Sequence, residues 1–345
     1  MSEPPLRLTL DSSALVANWR WLRAEGGQAD CGAAVKADGY GLGAAAVVER
    51  FAAAGCRDFF VATWDEAEAL KDLPAGAALS VLHGVRSADM PRALASKARP
   101  VLNSPAQVAR WKAAGGGACD VMVDTGMNRL GLTIEEARSG LLEGLRIETL
   151  MSHLACAEEA DHGLNMQQLY AFRLAKGFVK AKRYSLANSA GICLGPRYAF
   201  DLTRPGLALY GGVPTPAAEG HIRPVVRLEA QLIQRRMVRA GQTVGYGATF
   251  TAPAEMQVGI LNIGYADGYL RAFAGKGHAL VDGVRCPLIG RVSMDLVAVD
   301  LGQTHAGEGD WLEIGYDLAQ AAAVTGLSQY ELLTGLGGRY QRRWT

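Results

Sequence analysis

Between residues 30 and 211, short apolar runs alternate with stretches that carry helix signals, which predicts βα units and a parallel sheet. The runs fall at 32–36, 58–63, 78–83, 99–103, 119–124, 147–153, 183–188 and 202–210. The stretches between them begin as helices begin. Ser104-Pro105 offers a cap followed by a first-turn proline, and Thr133-Ile134-Glu135-Glu136 offers a capping box. Eight successive βα units are the number that closes a (β/α)8 barrel.

Past about residue 220 the pattern changes to strands without intervening helices, at 224–238, 242–250, 256–264, 278–292, 296–301 and 310–314. Asp282-Gly283 between apolar runs is a hairpin signal. A helical segment near 328–336 closes this part. The expected fold is therefore α/β, a (β/α)8 TIM-type barrel over 1–220 followed by a mostly-β domain over 221–345. The boundary is expected in the Gly/Pro-rich stretch 211–216.

A chain of 345 residues suits this two-domain division. Its net charge of +1 includes neither the basic stripe of a nucleic-acid binder nor an acidic tail, so small molecules and the chain itself are the expected partners. The six cysteines lie far apart without a C-x-x-C pair, as expected of buried thiols in a reducing cytosol. The histidines lack metal-ligand spacing, so no metal is expected. The opening Met-Ser-Glu-Pro-Pro-Leu-Arg has no apolar signal core, and no run is long enough to cross a bilayer, which needs roughly 20 residues. A cytoplasmic protein is expected.

The strand ends carry the candidate chemistry: Lys36, Thr63, His83, Asn103, Asp124, His153, Asn188 and Arg204. In a barrel these polar groups meet at the carboxyl-end mouth, where barrel enzymes place their active sites. Lys36 is the most informative. It follows the small residues of a strand buried on both faces and opens a turn containing Gly39, Gly41 and Gly43. Two readings are open, a lysine snorkelling to solvent or a buried amine with a lowered pKa that forms a Schiff base with a carbonyl.

Eight segments in order resemble the motifs of alanine racemase, a pyridoxal-phosphate enzyme built of a barrel and a β domain. They are Ala34-Val35-Lys36-Ala37-Asp38-Gly39-Tyr40-Gly41-Leu42-Gly43, Asp124-Thr125-Gly126-Met127-Asn128-Arg129, Ser152-His153-Leu154-Ala155, Ala187-Asn188-Ser189-Ala190, Arg204-Pro205-Gly206-Leu207-Ala208-Leu209-Tyr210, Val244-Gly245-Tyr246-Gly247, and the pair Gly264-Tyr265 and Gly290-Arg291-Val292-Ser293-Met294-Asp295. The resemblance implies pyridoxal 5'-phosphate as cofactor, joined to Lys36. It implies two proton carriers, Lys36 on one face of the substrate and Tyr246 on the other, with Tyr246 supplied by the second subunit of a homodimer. A phenol acts as a base near neutrality only if positive charge or hydrogen bonding favours the phenolate. The implied relay runs from Tyr246 to His153 to Arg204, which also meets the cofactor's pyridine nitrogen.

The resemblance further assigns the phosphate to Tyr40, Ser189 and the amides of Gly206 and Leu207. The substrate carboxylate goes to Arg129 and the Met294 amide, and the entrance to Tyr265, Arg271, Arg291 and Glu158. Three departures stand out. Met122 occupies a position where the family often has a carbamylated lysine. Gly338 stands where some members place a phosphate-binding tyrosine, with Tyr340 as the nearby candidate. Glu158 replaces a common aspartate. The implied activity is interconversion of L- and D-alanine, supplying D-alanine for peptidoglycan. The alternatives are a racemase acting on serine or lysine as well, a non-catalytic pyridoxal-phosphate-binding protein, and a decarboxylase of the same architecture.

Overall fold

The computed structural model describes residues 4–345, so Met1 to Glu3 of the N-terminal segment lie outside the described residues. The chain divides into two compact units, 15–223 and a second made of 4–14 with 224–345. The segment 209–223 belongs with the first because buried Asn18 holds it. The Asn18 amide donates to the carbonyls of Leu209 (3.3 Å) and Arg223 (2.9 Å), and its oxygen accepts from the Arg223 amide (2.7 Å).

In the first unit, seven parallel strands follow one another in chain order: Ala33–Ala34, Asp58–Val61, Ala78–Val81, Arg99–Leu102, Cys119–Met122, Ile147–Met151 and Arg183–Ser185. The eighth run closes the ring, since Leu202–Thr203 pairs in parallel with Asp30–Cys31. On its other side the Asp201 amide donates to Tyr184 O and the Arg204 amide to Ala187 O. The eighth strand is shorter than the apolar run 202–210 predicts. Pro205 has no N–H to continue the ladder, and Leu207–Tyr210 coils into a 3-10 turn instead. The predicted helix starts are present, with Ser104 capping a helix whose first residue is Pro105 and Thr133 and Glu136 forming a capping box.

The inner strand residues include charge. Asp120 accepts from the Ser80 hydroxyl at 2.5 Å and lies 3.4 Å from Arg99, while Arg183 grips Asp58 through both guanidinium nitrogens at 2.5 and 2.9 Å. Buried charges of this kind are tolerated because they are paired.

The second unit is an eight-stranded sheet. The 13-residue strand Val226–Val238 pairs with Trp311–Ile314 along its first half and Met256–Leu261 along its second, so the pairings close into a ring. Leu6–Leu10 joins this sheet, antiparallel to Val226–Ala230, although it precedes the barrel in the chain. Asp282 and Gly283 make the expected tight hairpin between His278–Val281 and Val284–Ile289, both in the left-handed region.

One predicted strand fails. The stretch 242–250 is not continuous but a hairpin of two-residue strands, Thr243–Val244 and Phe250–Thr251, around a turn at Tyr246–Ala248. Gly245, Gly247 and Ala248 have φ of 78°, 70° and 47°, which no strand accommodates. A second helix, Leu318–Thr325, precedes the expected one at Gln329–Thr334. All six cysteines are free thiols. Among the described residues no helix is long and apolar enough to cross a membrane, and no group of three or more His, Cys, Asp or Glu side chains could hold a metal ion.

Candidate active site

The first strand of the barrel ends in an unusual turn. Ala37, Asp38, Gly39, Tyr40 and Gly41 all take positive φ, at 52°, 52°, 63°, 57° and 85°. The turn is left-handed, closed by the Gly39 amide on Val35 O (2.9 Å) and the Gly41 amide on Ala37 O (2.8 Å). Left-handed backbone costs roughly 1–2 kcal/mol for each residue that carries a Cβ. Ala37, Asp38 and Tyr40 all do, so the turn needs ties from outside. One comes from Glu66, whose Oε1 accepts from the Ala37 amide at 2.7 Å. Another is Tyr40, buried and stacked on Tyr210 at 4.6 Å.

Lys36 opens this turn partly buried. Its pKa is lowered first by burial and then by the charge of Arg129, with Glu66 opposing. A lowered pKa makes the neutral, nucleophilic amine available nearer neutral pH.

Facing the turn, the end of the eighth strand forms a polar cradle. Ser189 Oγ accepts from the amides of Gly206 (2.9 Å) and Ala208 (3.3 Å), so its own proton is left to donate elsewhere. The Gly206 amide, expected to meet a phosphate, is thus committed to Ser189. The role of Gly206 is spatial. A methyl group there would overlap the Tyr40 hydroxyl and lie 3.0 Å from Tyr40 Cζ. Leu207 is the first residue of the 3-10 turn Leu207–Tyr210, a position whose N–H has no partner within the helix. Tyr40, Ser189, Gly206 and Leu207 are therefore brought together, with hydroxyl and amide donors and a missing side chain suited to an anion.

His153 and Arg204 lie in the same mouth. Burial pushes the His153 ring down to about 3, helped by the charges of Arg204, Arg129 and Lys36, so it is neutral at physiological pH. Burial also brings Arg204 down to about 10, opposed by Asp120. The guanidinium of Arg204 donates to Ser185 Oγ and Ser152 O. The expected hydrogen bond from His153 to Arg204 is absent among the described residues; two of the guanidinium's five N–H groups point to strand-end oxygens instead. Their coupling is electrostatic.

Arg129 is exposed and forms no hydrogen bond or ion pair among the described residues, so its charge is available to a carboxylate. Asp124 shapes its loop by accepting from the amides of Gly126 (2.8 Å) and Met127 (2.9 Å). Met122 is 8% exposed and offers no charge to Arg129. Glu158 is exposed on the loop after His153.

Two supporting residues escaped the sequence reading. Gln168, fully buried, donates to His153 O (2.8 Å) and Thr125 Oγ1 (3.2 Å) and accepts from the Ala155 amide (2.9 Å), joining the His153 and Arg129 loops. No local pattern marks it. Glu66 had a signal, the capping box Thr63-x-x-Glu66, but that pattern does not predict its reach to Ala37.

The second unit gathers a separate set. Tyr246 is 74% exposed at the tip of its hairpin. It lines a cavity of about 270 Å³ with Arg271, Ala274, Arg291 and Val292. Arg271 lies over the Tyr265 ring at 5.0 Å. The amides of Tyr265 and Ala266 donate to Ser293 O and Met294 O, both at 3.0 Å, fixing Tyr265 beside the Met294 loop. Tyr246, Tyr265, Arg271, Arg291 and Met294 thus form one neighbourhood.

Tyr340 does not present itself to a ligand. It is 5% exposed, its hydroxyl is buried without a partner among the described residues, and burial lifts its pKa well above the usual phenol value. A hydroxyl sealed inside its own unit is closed to a phosphate. At Gly338 a side chain would meet open space.

Comparison with known proteins places these features in context. Residues 10–214 match the sequence model of the alanine racemase N-terminal domain and residues 225–344 that of the C-terminal domain. The alanine racemase of Methylobacterium nodulans is 43% identical over 357 residues, covering 98% of this chain and 95% of that protein. The catabolic alanine racemase of Agrobacterium fabrum is 43% identical over 354 residues, covering 98% and 91%. The crystal structure of alanine racemase from Bartonella henselae, with covalently bound pyridoxal phosphate, superposes with a TM-score of 0.93 at 36% identity, covering 99% of this chain and 100% of that one.

Proposed function

The chain belongs to the alanine racemase family, and from this premise we propose that it interconverts L- and D-alanine with pyridoxal 5'-phosphate, using Lys36 and Tyr246 as opposed proton carriers. The observation that carries this reading is the juxtaposition of Lys36, with its lowered pKa, and the cradle of Tyr40, Ser189 and Leu207 closed over a glycine that has no room for a side chain. The donor set fits a phosphate monoester, and the adjacent lysine fits an aldehyde. Bound pyridoxal phosphate acidifies the α C–H of an amino acid by accepting the electrons left behind.

The protein's own groups do the rest. Ser189 and Tyr40 hydroxyls and the Leu207 amide would hold the phosphate, and Tyr340 is omitted from this set because its hydroxyl is sealed. Arg204 would meet the pyridine nitrogen with a group that keeps its proton, which would moderate electron withdrawal. Arg129, aided by the Met294 amide, orients the substrate carboxylate. Lys36 Nζ takes or gives the α proton on one face and Tyr246 Oη on the other. Neutral His153 hydrogen-bonds the phenol and shares its proton.

Tyr246 comes from a second copy of the chain in this reading. Its exposure supports that, as do the neighbouring Met294, Met237 and Leu296, 53%, 50% and 36% exposed, an apolar surface that a monomer would leave in water. The functional unit is then a cytoplasmic homodimer, with the barrel unit 15–223 holding the cofactor and the β unit, 4–14 with 224–345, lending its tyrosine to the partner. Tyr265, Arg271, Arg291 and Glu158 restrict the entrance to small amino acids, and the D-alanine formed serves peptidoglycan.

Incubation with L-alanine, L-serine and L-lysine, followed by chiral chromatography, tests the assignment. D-alanine should form fastest; D-serine or D-lysine in excess would replace alanine as the substrate. Gly206→Ala should weaken cofactor binding about tenfold, the effect of ~1–3 kcal/mol of overpacking, when free cofactor is titrated against its absorption change. An unchanged Kd would remove Gly206 from the cradle.

A further inference from the structure

We propose that Glu66 is a positioning residue for Lys36, clamping the left-handed turn that aims the lysine to the neighbouring βα unit. The inference rests on Lys36 being the reactive lysine, but its geometry is independent of that role. Both carboxylate oxygens are committed. Oε1 accepts from the Ala37 amide at 2.7 Å, and Oε2 accepts from the amides of Ala62 (2.6 Å) and Thr63 (3.3 Å) at the end of the second strand.

One side chain therefore bridges the residue after Lys36 and the adjoining strand end. Ala37 itself is exposed, and its amide is tied by the hydrogen bond to Glu66. The turn stores strain at Ala37, Asp38 and Tyr40. Its stacking on Tyr210 anchors the far end, at Tyr40, while Glu66 anchors the near end, next to the lysine. Released at Ala37, the backbone would relax toward right-handed φ and swing the Lys36 Cα–Cβ direction.

Glu66 also belongs to an ordinary capping box, with its own amide bonded to Thr63 Oγ1 at 3.3 Å. The two roles separate by mutation. Glu66→Gln keeps the size but has one acceptor oxygen, so its NH2 must face either Ala37 N–H or the strand-end amides, donor against donor. Thr63→Ala removes the cap hydroxyl and leaves the Ala37 bond in place.

The test is amide hydrogen exchange on the full-length protein, with kcat and KM measured alongside. In Glu66→Gln the amides of 37–41 should exchange about tenfold faster while the barrel strands are unchanged. kcat should fall roughly ten- to a hundredfold with KM nearly constant, the mark of a misaimed group. Thr63→Ala should leave both at the level of the unaltered protein. Equal losses in the two variants, or unchanged exchange in Glu66→Gln, overturns the proposal. Should the variant not fold, the unaltered protein decides: the Ala37 amide should exchange at least about tenfold more slowly than an unstructured amide. Exchange at the unstructured rate overturns the clamp, whatever reaction the protein catalyses.

Discussion

Replacing Lys36 by alanine should abolish the visible absorption of bound cofactor and, with it, racemisation, by a factor of at least ~10³, since covalent attachment and one proton carrier disappear together. The loss should be chemical, not structural. Lys36 is partly buried, and the turn that follows it is held by Glu66 and by the Tyr40–Tyr210 stack, neither of which involves the lysine side chain. Thermal unfolding should therefore shift little. Lys36→Arg should restore nothing, because a guanidinium cannot give up its proton to become a nucleophile or base. Retained activity in Lys36→Ala would return the residue to the snorkelling lysine that its sequence position also allows.

Tyr246→Phe should have an effect of a different kind. It removes one oxygen from a side chain that is 74% exposed in its own chain, so folding and cofactor absorption should be preserved. Proton exchange should become strongly asymmetric. With Lys36 intact, the α proton of one enantiomer should still exchange with solvent deuterium, while exchange of the other falls by roughly 10²–10⁴, the usual contribution of one general base. Equal residual exchange from both enantiomers would mean that a single group serves both faces. The neutral state of His153 matters to this prediction. A ring held down to about 3 by burial and by the charges of Arg204, Arg129 and Lys36 can exchange hydrogen bonds with a phenol across the whole working pH range without becoming charged.

The features legible in sequence were those with local causes. The barrel strands were visible because an apolar run, a polar end and a helix signal recur within each unit. Ser104-Pro105, Thr133 to Glu136 and Asp282-Gly283 were visible because caps and tight turns are read by adjacent residues. What sequence left hidden was non-local. Nothing near Leu6–Leu10 reveals that its partner is Val226–Val238, more than two hundred residues away. The stretch 242–250 reads as a strand until the left-handed values at Gly245, Gly247 and Ala248 show a hairpin tip, which presents Tyr246 outward.

The site divides the same way. Lys36, Ser189 and Gly206 are marked as candidates by motif and turn chemistry. The double grip of Glu66 and the three bonds of Gln168 depend on loops meeting in space. The relay is only half legible: His153 and Arg204 share the mouth, but Arg204 directs two of its donors to Ser185 and Ser152 and none to His153 among the described residues. Tyr340 misleads as a candidate because proximity in sequence to position 338 carries no information about which way a side chain faces; in the bend before the strand Gln341–Trp344 it points into its own unit's interior and is buried.

Hybrid dimers test the shared site most directly. Lys36→Ala and Tyr246→Phe chains, each of minimal activity alone, are dissociated, mixed in equal amounts and reassembled. If each site joins the lysine of one copy to the tyrosine of the other, every hybrid carries one intact site, and random reassembly in a two-fold dimer restores about a quarter of native activity. If both groups come from the same chain, no hybrid contains an intact site, and the mixture should be no more active than its parts.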